Sequence, residues 1–179
     1  METVRKNNNI GLVYGLITGL IICIISLVQY LGGLKTYMSP IGYLTYVILI
    51  VMAVLAGLKQ KSLNGGVLEF SEALKVTFSV FALALLLQTL FTYVLFNFID
   101  PSFKEALAQE ILNKTEEFMR NFGASDSQID DAVESQRGKD PFSLGRVMLG
   151  YGISCIVCFI ISLIISAIIK KNKPAFPTT

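Results

Sequence analysis

The sequence contains no histidine and little charge, and both absences limit the chemistry it can perform. Charged residues make up 16% of its 179 residues, against ~25% in a typical soluble domain. Histidine is the side chain that most often binds metals and exchanges protons near neutral pH. The sequence also has no phosphate-binding glycine loop, nucleotide-binding glycine motif or serine–histidine arrangement. We therefore predict no catalytic residue, metal site, cofactor, nucleic-acid partner or enzymatic activity.

Acidic and basic residues are missing altogether from four long apolar runs, residues 10–31, 41–58, 76–98 and 147–169. A helix rises ~1.5 Å per residue, so ~20 apolar residues cross a hydrocarbon core of ~30 Å. The runs predict an all-α membrane protein, residues 1–179, with four transmembrane helices in one domain and the lipid bilayer as its surroundings. Uncharged spans also argue against a proton relay or a charge-coupled pump.

Cysteine is scarce, and all three cysteines, Cys23, Cys155 and Cys158, fall inside the apolar runs. The spacing of Cys155 and Cys158 is that of a redox pair. A reactive thiol needs a lowered pKa and access to its partner, and hydrocarbon provides neither. We interpret these cysteines as small packing residues.

Residues 100–146 are the one sizeable polar stretch, and they carry signals for two helices. Asp100 followed by Pro101 is typical of an N-cap and first helical residue. Ser125 and Gln128 have the spacing of a capping box. An apolar stripe at helical spacing follows the first signal: Phe103, Leu107, Ile111, Phe118 and Phe122. We predict a helical hairpin between the third and fourth spans.

The basic residues nearest the span ends favour one orientation in the membrane. Three of the four spans have their basic excess on the side that carries both termini, through Arg5, Lys6, Lys59, Lys61, Lys170, Lys171 and Lys173. Positive charge near span ends is retained in the cytoplasm. The sequence thus predicts cytoplasmic termini and an extracytoplasmic insertion at 100–146.

Small residues repeat every four positions on two of the spans. Gly11, Gly15 and Gly19 form one row, and Gly150, Ser154, Cys158 and Ser162 form another. Association of helices in lipid depends on close backbone approach at small residues. We predict that these rows pack closely, either against each other or against a partner, with a homo-oligomer seam as the alternative.

Polar side chains also occur near the middle of the third span and just before it. Gln88 lies near the middle of the third span with Thr92 one turn later. Such an amide makes either an interhelical hydrogen bond or a contact with a transported substrate, and the absence of accompanying charge favours the hydrogen bond. Glu72 and Lys75, before the third span, have the spacing of a helical ion pair.

Several short stretches in this order and spacing resemble a known family of bacterial membrane proteins. They are residues 11–19, 70–75, 91–93, 97–101, 123–133, 160–171 and 174–176. The chain resembles the bacterial domain-of-unknown-function family 4199, whose members are small four-span membrane proteins. The resemblance implies a bacterial inner (cytoplasmic) membrane location and a periplasmic hairpin. It supplies no catalytic or binding residues.

Two functions remain open from the sequence. The first is a non-enzymatic accessory or interaction protein that acts on another membrane or periplasmic protein of the cell envelope. The second is a small oligomeric channel or carrier that uses Gln88 and the small-residue rows.

Overall fold

The computed structural model describes residues 9–171, and within that range it is helical apart from short connections. Four helices have the length and apolar composition to cross a membrane: Ile10–Leu31, Pro40–Leu63, Phe70–Ile99 and Leu144–Ile169. The prediction of an all-α protein with four membrane-spanning helices is therefore confirmed.

The helical elements follow one another with short connections. They are α1 (Ile10–Leu31), α2 (Gly33–Tyr37), a 3₁₀ turn (Pro40–Gly42), α3 (Tyr43–Leu63), α4 (Phe70–Val94), a π-helical turn (Leu95–Ile99), α5 (Pro101–Asn121), α6 (Asp126–Gln136) and α7 (Leu144–Ile169). Helix α3 ends after, and helices α4 and α7 begin before, the predicted apolar runs. Hydropathy marks only the residues suited to lipid, whereas a helix continues into the polar residues beyond them.

The described chain divides into two compact units. The membrane unit holds the residues up to Thr89 and those from Gly150 onward, and the hairpin unit is Leu90–Leu149. Helix α4 contributes to both.

In the membrane unit, α3 and α4 each contact both α1 and α7. Helix α1 packs on α3, and its glycines face α4. Phe78 of α4 meets Phe159 of α7 edge-to-face, with ring centroids 5.4 Å apart. Buried apolar side chains from all four helices form one core, which includes Ile22, Leu49, Ala53, Phe81 and Ile165. Many leucine, isoleucine and valine side chains point outward from the same helices, as expected of a lipid-facing surface.

At one end of the membrane unit, the α3–α4 connection contacts the end of α7. The start of α1 lies at the same end, which we therefore call the terminal end. Leu68 and Lys171 exchange two backbone hydrogen bonds of 2.9 and 2.8 Å. The Lys61 ammonium donates to the Ile169 carbonyl at 2.8 Å. That carbonyl belongs to the last turn of a helix, where a cation offsets the unpaired acceptors.

The hairpin unit begins with the helix starts that the sequence predicts. The Asp100 side chain accepts from the Phe103 amide at 2.9 Å, and Ser125 with Gln128 forms a complete capping box. Leu107 of α5 and Ile129 of α6 are almost fully buried. The predicted apolar stripe is only partly covered, because Phe103 stacks on Phe96 whereas Phe118 and Phe122 are exposed.

Candidate functional site

The glycine row of α1 lies directly against α4. A Cβ added at Gly15 would lie 3.0 Å from the Leu83 Cβ and 3.1 Å from the Ser79 carbonyl oxygen. One added at Gly11 would lie 2.8 Å from the Val76 carbonyl oxygen. The three predicted glycines therefore mark a tight helix–helix contact, and the neighbour in that contact is α4. The sequence had left open α7 or a partner chain as the neighbour, since spacing identifies a packing face but not its complement.

The small-residue row of α7 is uniform in sequence but not in surroundings. At Gly150 an added Cβ would have no atom within 4 Å, and Ser154 is half-buried. Further along, Cys158 and Ser162 are buried. One turn beyond Ser162, the Ser166 hydroxyl lies 3.2 Å from the Thr77 hydroxyl of α4. Close packing at this row is thus confined to the half of α7 nearest the terminal end.

Gln88 joins two helices through a side-chain hydrogen bond. Its amide nitrogen donates to the Ser26 hydroxyl of α1 at 2.7 Å, and Ser26 is 6% exposed. This is the contact expected of an interhelical polar pair in lipid. Thr92, predicted to accompany Gln88, belongs to the hairpin unit, whereas Gln88 belongs to the membrane unit.

Glu72 has neighbours that sequence reasoning missed. Its two carboxylate oxygens accept from Gln60 at 3.0 Å and from Asn64 at 2.9 Å. The ion pairs among the described residues do not include Glu72 with Lys75, whose spacing would allow one. The turn at Gly65 and Gly66 returns the chain and places the end of α3 beside the start of α4. The positive φ angles of those glycines, 69° and 87°, fit the Asn-Gly-Gly turn signal, which could have indicated this arrangement.

A second polar cluster links the start of α5 to the residues that follow α6. Lys104 donates to Asn97 at 3.2 Å and to Asp140 at 3.0 Å, and Asp140 also accepts from the Phe142 amide at 2.8 Å. Partial burial tends to raise the pKa of Asp140. The hydrogen bonds from Lys104 and Phe142, with the charges of Lys104 and Arg146, outweigh it and hold the pKa below its ordinary value.

Two exposed aromatic rings lie at the C-terminal end of α5, one in its last turn and one directly after it. Phe118 is 61% exposed and Phe122 is 77% exposed, and their ring centroids are 4.4 Å apart. We call this pair the aromatic patch. Hydrophobic spacing had predicted the stripe, but which of its members are covered depends on segments distant in sequence: Phe103 stacks on Phe96, whereas Phe118 and Phe122 contact each other and remain exposed.

The polar and aromatic groups at these positions make hydrogen bonds, packing contacts and ion pairs. Among residues 9–171, no group of three or more histidine, cysteine, aspartate or glutamate side chains is placed to hold a metal ion. Each polar cluster joins two elements of the fold, as Glu72 does for α3 and α4.

Comparison with known proteins gives one family. A family model described as "Protein of unknown function (DUF4199)" matches residues 13–171. No curated protein and no solved structure gives a significant match.

Proposed function

The chain belongs to the DUF4199 family of proteins of unknown function, and from that premise we propose that it is a non-enzymatic accessory protein of the bacterial inner membrane. Its four apolar helices make it a multi-pass membrane protein. Its hairpin unit would provide the surface that binds another protein of the cell envelope.

The observation that carries this proposal is the aromatic patch. Large aromatic side chains in water are unfavourable, and clustered exposed ones commonly mark interaction surfaces. Phe118 lies on α5 and Phe122 directly follows its last residue, and the many charged residues of α5 set it apart from the four apolar helices. Their exposed area would be buried by a partner that has an apolar groove.

Charge favours a protein over an anionic membrane as that partner. Residues 100–146 contain ten acidic and six basic residues, so the segment has an excess of negative charge. Arg120, the basic residue beside the patch, is already paired with Glu116 at 3.2 Å. A groove with a basic rim would complement these charges, whereas anionic headgroups would repel them.

The orientation that we propose places the hairpin unit in the periplasm and both termini in the cytoplasm. Lys59, Lys61, Lys170 and Lys171 lie near the terminal end of the membrane unit, and Lys35 is the only charged residue between Lys6 and Lys59. This asymmetry supports retention of the terminal end in the cytoplasm.

Site-specific photo-crosslinking in cells tests the partner. A photoreactive residue replaces Phe122 in one strain and Ser135 of α6, also exposed, in a control strain. We expect one discrete adduct with a second protein from position 122 that weakens when Phe118→Ala is added, and no such adduct from position 135. An adduct between two copies of this chain would indicate a homo-oligomer, and lipid adducts alone would contradict the proposal.

The channel or carrier alternative is not favoured by a particular observation. That alternative used Gln88 as a substrate contact, whereas the amide nitrogen of Gln88 donates a hydrogen bond to the Ser26 hydroxyl. We therefore retain the accessory function as the single proposal.

A further inference from the structure

Three lysines from two segments come together at the terminal end of the membrane unit. The Lys61 ammonium lies 2.8 Å from the Ile169 carbonyl oxygen, and Lys170 and Lys171 directly follow that residue. Two backbone hydrogen bonds between Leu68 and Lys171 fix this end of the chain beside the α3–α4 connection. Lys61, Lys170 and Lys171, which we call the lysine cluster, therefore have a defined place in the fold.

No carboxylate among the described residues pairs with the lysine cluster. The ion pairs within residues 9–171 have Lys104 and Arg120 as their cations. Of the two acidic residues at the start of α4, Glu69 is exposed and Glu72 is hydrogen-bonded to two amide side chains. The end of α7 contributes only ~0.5 of a negative charge. Because like charges held close together repel one another, three ammonium groups here favour an anion from outside the chain.

The lysine cluster lies at the level of the membrane interface. One membrane-spanning helix ends at Ile169 and another begins at Phe70, so the residues next to these ends meet the lipid headgroups. The Lys170 ammonium lies 5.9 Å from the centre of the Phe70 ring, and a cation beside an aromatic ring suits that zone. Ile164 and Ile168, one turn apart on α7, are exposed. A molecule with an anionic head and an apolar chain would contact both the lysines and these isoleucines.

We propose that the lysine cluster binds the headgroup of one anionic phospholipid, with an acyl chain against the exposed isoleucines of α7. Basic groups between membrane helices bind anionic headgroups in this way. The lipid phosphate supplies the negative charge that the cluster lacks, and the acyl chains hold that phosphate at the depth of the cluster. The inference goes beyond the proposed accessory function and is independent of it, because the aromatic patch belongs to the hairpin unit.

Glutamine substitutions remove the charge of two of these lysines without removing the backbone bridge. Lys170→Gln with Lys171→Gln keeps the peptide groups that bond to Leu68. The third lysine is left unchanged, because its ammonium is bonded to the end of α7. Lys170→Arg with Lys171→Arg keeps both charges. Lys114→Gln with Lys139→Gln is the matched control, because both of those lysines are exposed outside the membrane-spanning helices and the pair lowers the net charge equally.

Native mass spectrometry and thermal unfolding of the full chain, delipidated in mild detergent, test the proposal. The probes are phosphatidylglycerol, phosphatidylcholine with the same acyl chains, and glycerol 3-phosphate, which has no acyl chain. We expect a one-to-one phosphatidylglycerol adduct and a raised Tm with that probe alone. The glutamine pair should weaken the adduct by about tenfold or more, whereas the arginine pair and the control pair should retain it.

Thermal unfolding without lipid separates lost binding from lost folding. The Tm of the glutamine pair without lipid should stay near that of the original chain, and Lys171→Gln alone, which should also weaken the adduct, decides the matter if the pair does not fold. Equal adducts with phosphatidylcholine would overturn recognition of an anionic headgroup, and equal stabilisation by glycerol 3-phosphate would overturn the lipid as its source. An unchanged adduct in the glutamine pair, or an equal loss in the control pair, would overturn the lysine cluster as the site.

Discussion

At the scale of single residues, Gly15 determines how closely α1 can approach α4. Gly15→Leu would place its Cβ 3.0 Å from the Leu83 Cβ and force further carbons into the same contact. Because overpacking typically costs ~1–3 kcal/mol, we expect a clearly lower Tm in detergent. Gly150→Leu is the control, since its surroundings are open and its Tm should stay near that of the original chain. Equal Tm values for the two variants would contradict the tight contact.

Gln88 and Ser26 form a pair whose strength can be measured separately from the rest of the bundle. We expect Gln88→Leu and Ser26→Ala to be coupled in a double-mutant cycle of thermal stability, because each removes the same 2.7 Å hydrogen bond. Interhelical bonds of this kind average ~0.6 kcal/mol and reach about 1.7 kcal/mol. Strictly additive effects would mean that the bond does not form in the membrane.

At the scale of elements, the start of α5 depends on one carboxylate. Asp100→Ala removes the acceptor of the Phe103 amide, and loss of an N-cap costs ~1 kcal/mol. We expect faster hydrogen exchange at Phe103, by roughly fivefold, in the full chain in nanodiscs. Asp100→Asn keeps an acceptor and should exchange like the original chain; equal acceleration in both variants would show that charge, not capping, matters.

The base of the hairpin unit has a pH dependence with a defined sign. The pKa of Asp140 is lowered, so the stability from its ionised form is present above its ordinary value of ~3.9. That contribution is lost as the pH falls through the lowered pKa. Carbon NMR of the labelled side-chain carboxyl should give a midpoint below ~3.9. Lys104→Met should move the midpoint upward, because the ammonium 3.0 Å away is removed; an unchanged midpoint would contradict that contact.

At the scale of the whole molecule, the sequence predicts the features that depend on the composition of one segment or on residues close together along the chain. The four spans follow from the length and apolarity of their residues, and the starts of α5 and α6 follow from Asp100 and Ser125, whose side chains act within one helical turn. The average hydropathy of a segment is sufficient to predict a span, and the residues within one turn along the chain are sufficient to predict a helix start.

Contacts between distant segments could not be derived in this way. The spacing of Gly11 and Gly15 indicates a packing face, but α4 is the neighbour because the shapes of two surfaces match in three dimensions. Glu72 finds its partners on α3 only after a turn reverses the chain. Gln29 is ordinary in sequence, and only its surroundings in the fold show that its amide nitrogen is buried without a hydrogen-bond partner among the described residues.

The orientation of the whole molecule is the property on which the proposed interaction depends, and thiol labelling of intact cells tests it. Ser127→Cys lies in α6 and Ser62→Cys near the end of α3, and both positions are exposed. If the terminal end is cytoplasmic, as the positive charge around it favours, a membrane-impermeant maleimide should label position 127 in intact cells and position 62 only after permeabilisation. The original chain is the control, because its three cysteines lie within the membrane-spanning helices and should stay unlabelled. The reverse pattern would place the hairpin unit in the cytoplasm, where the aromatic patch could meet only cytoplasmic partners.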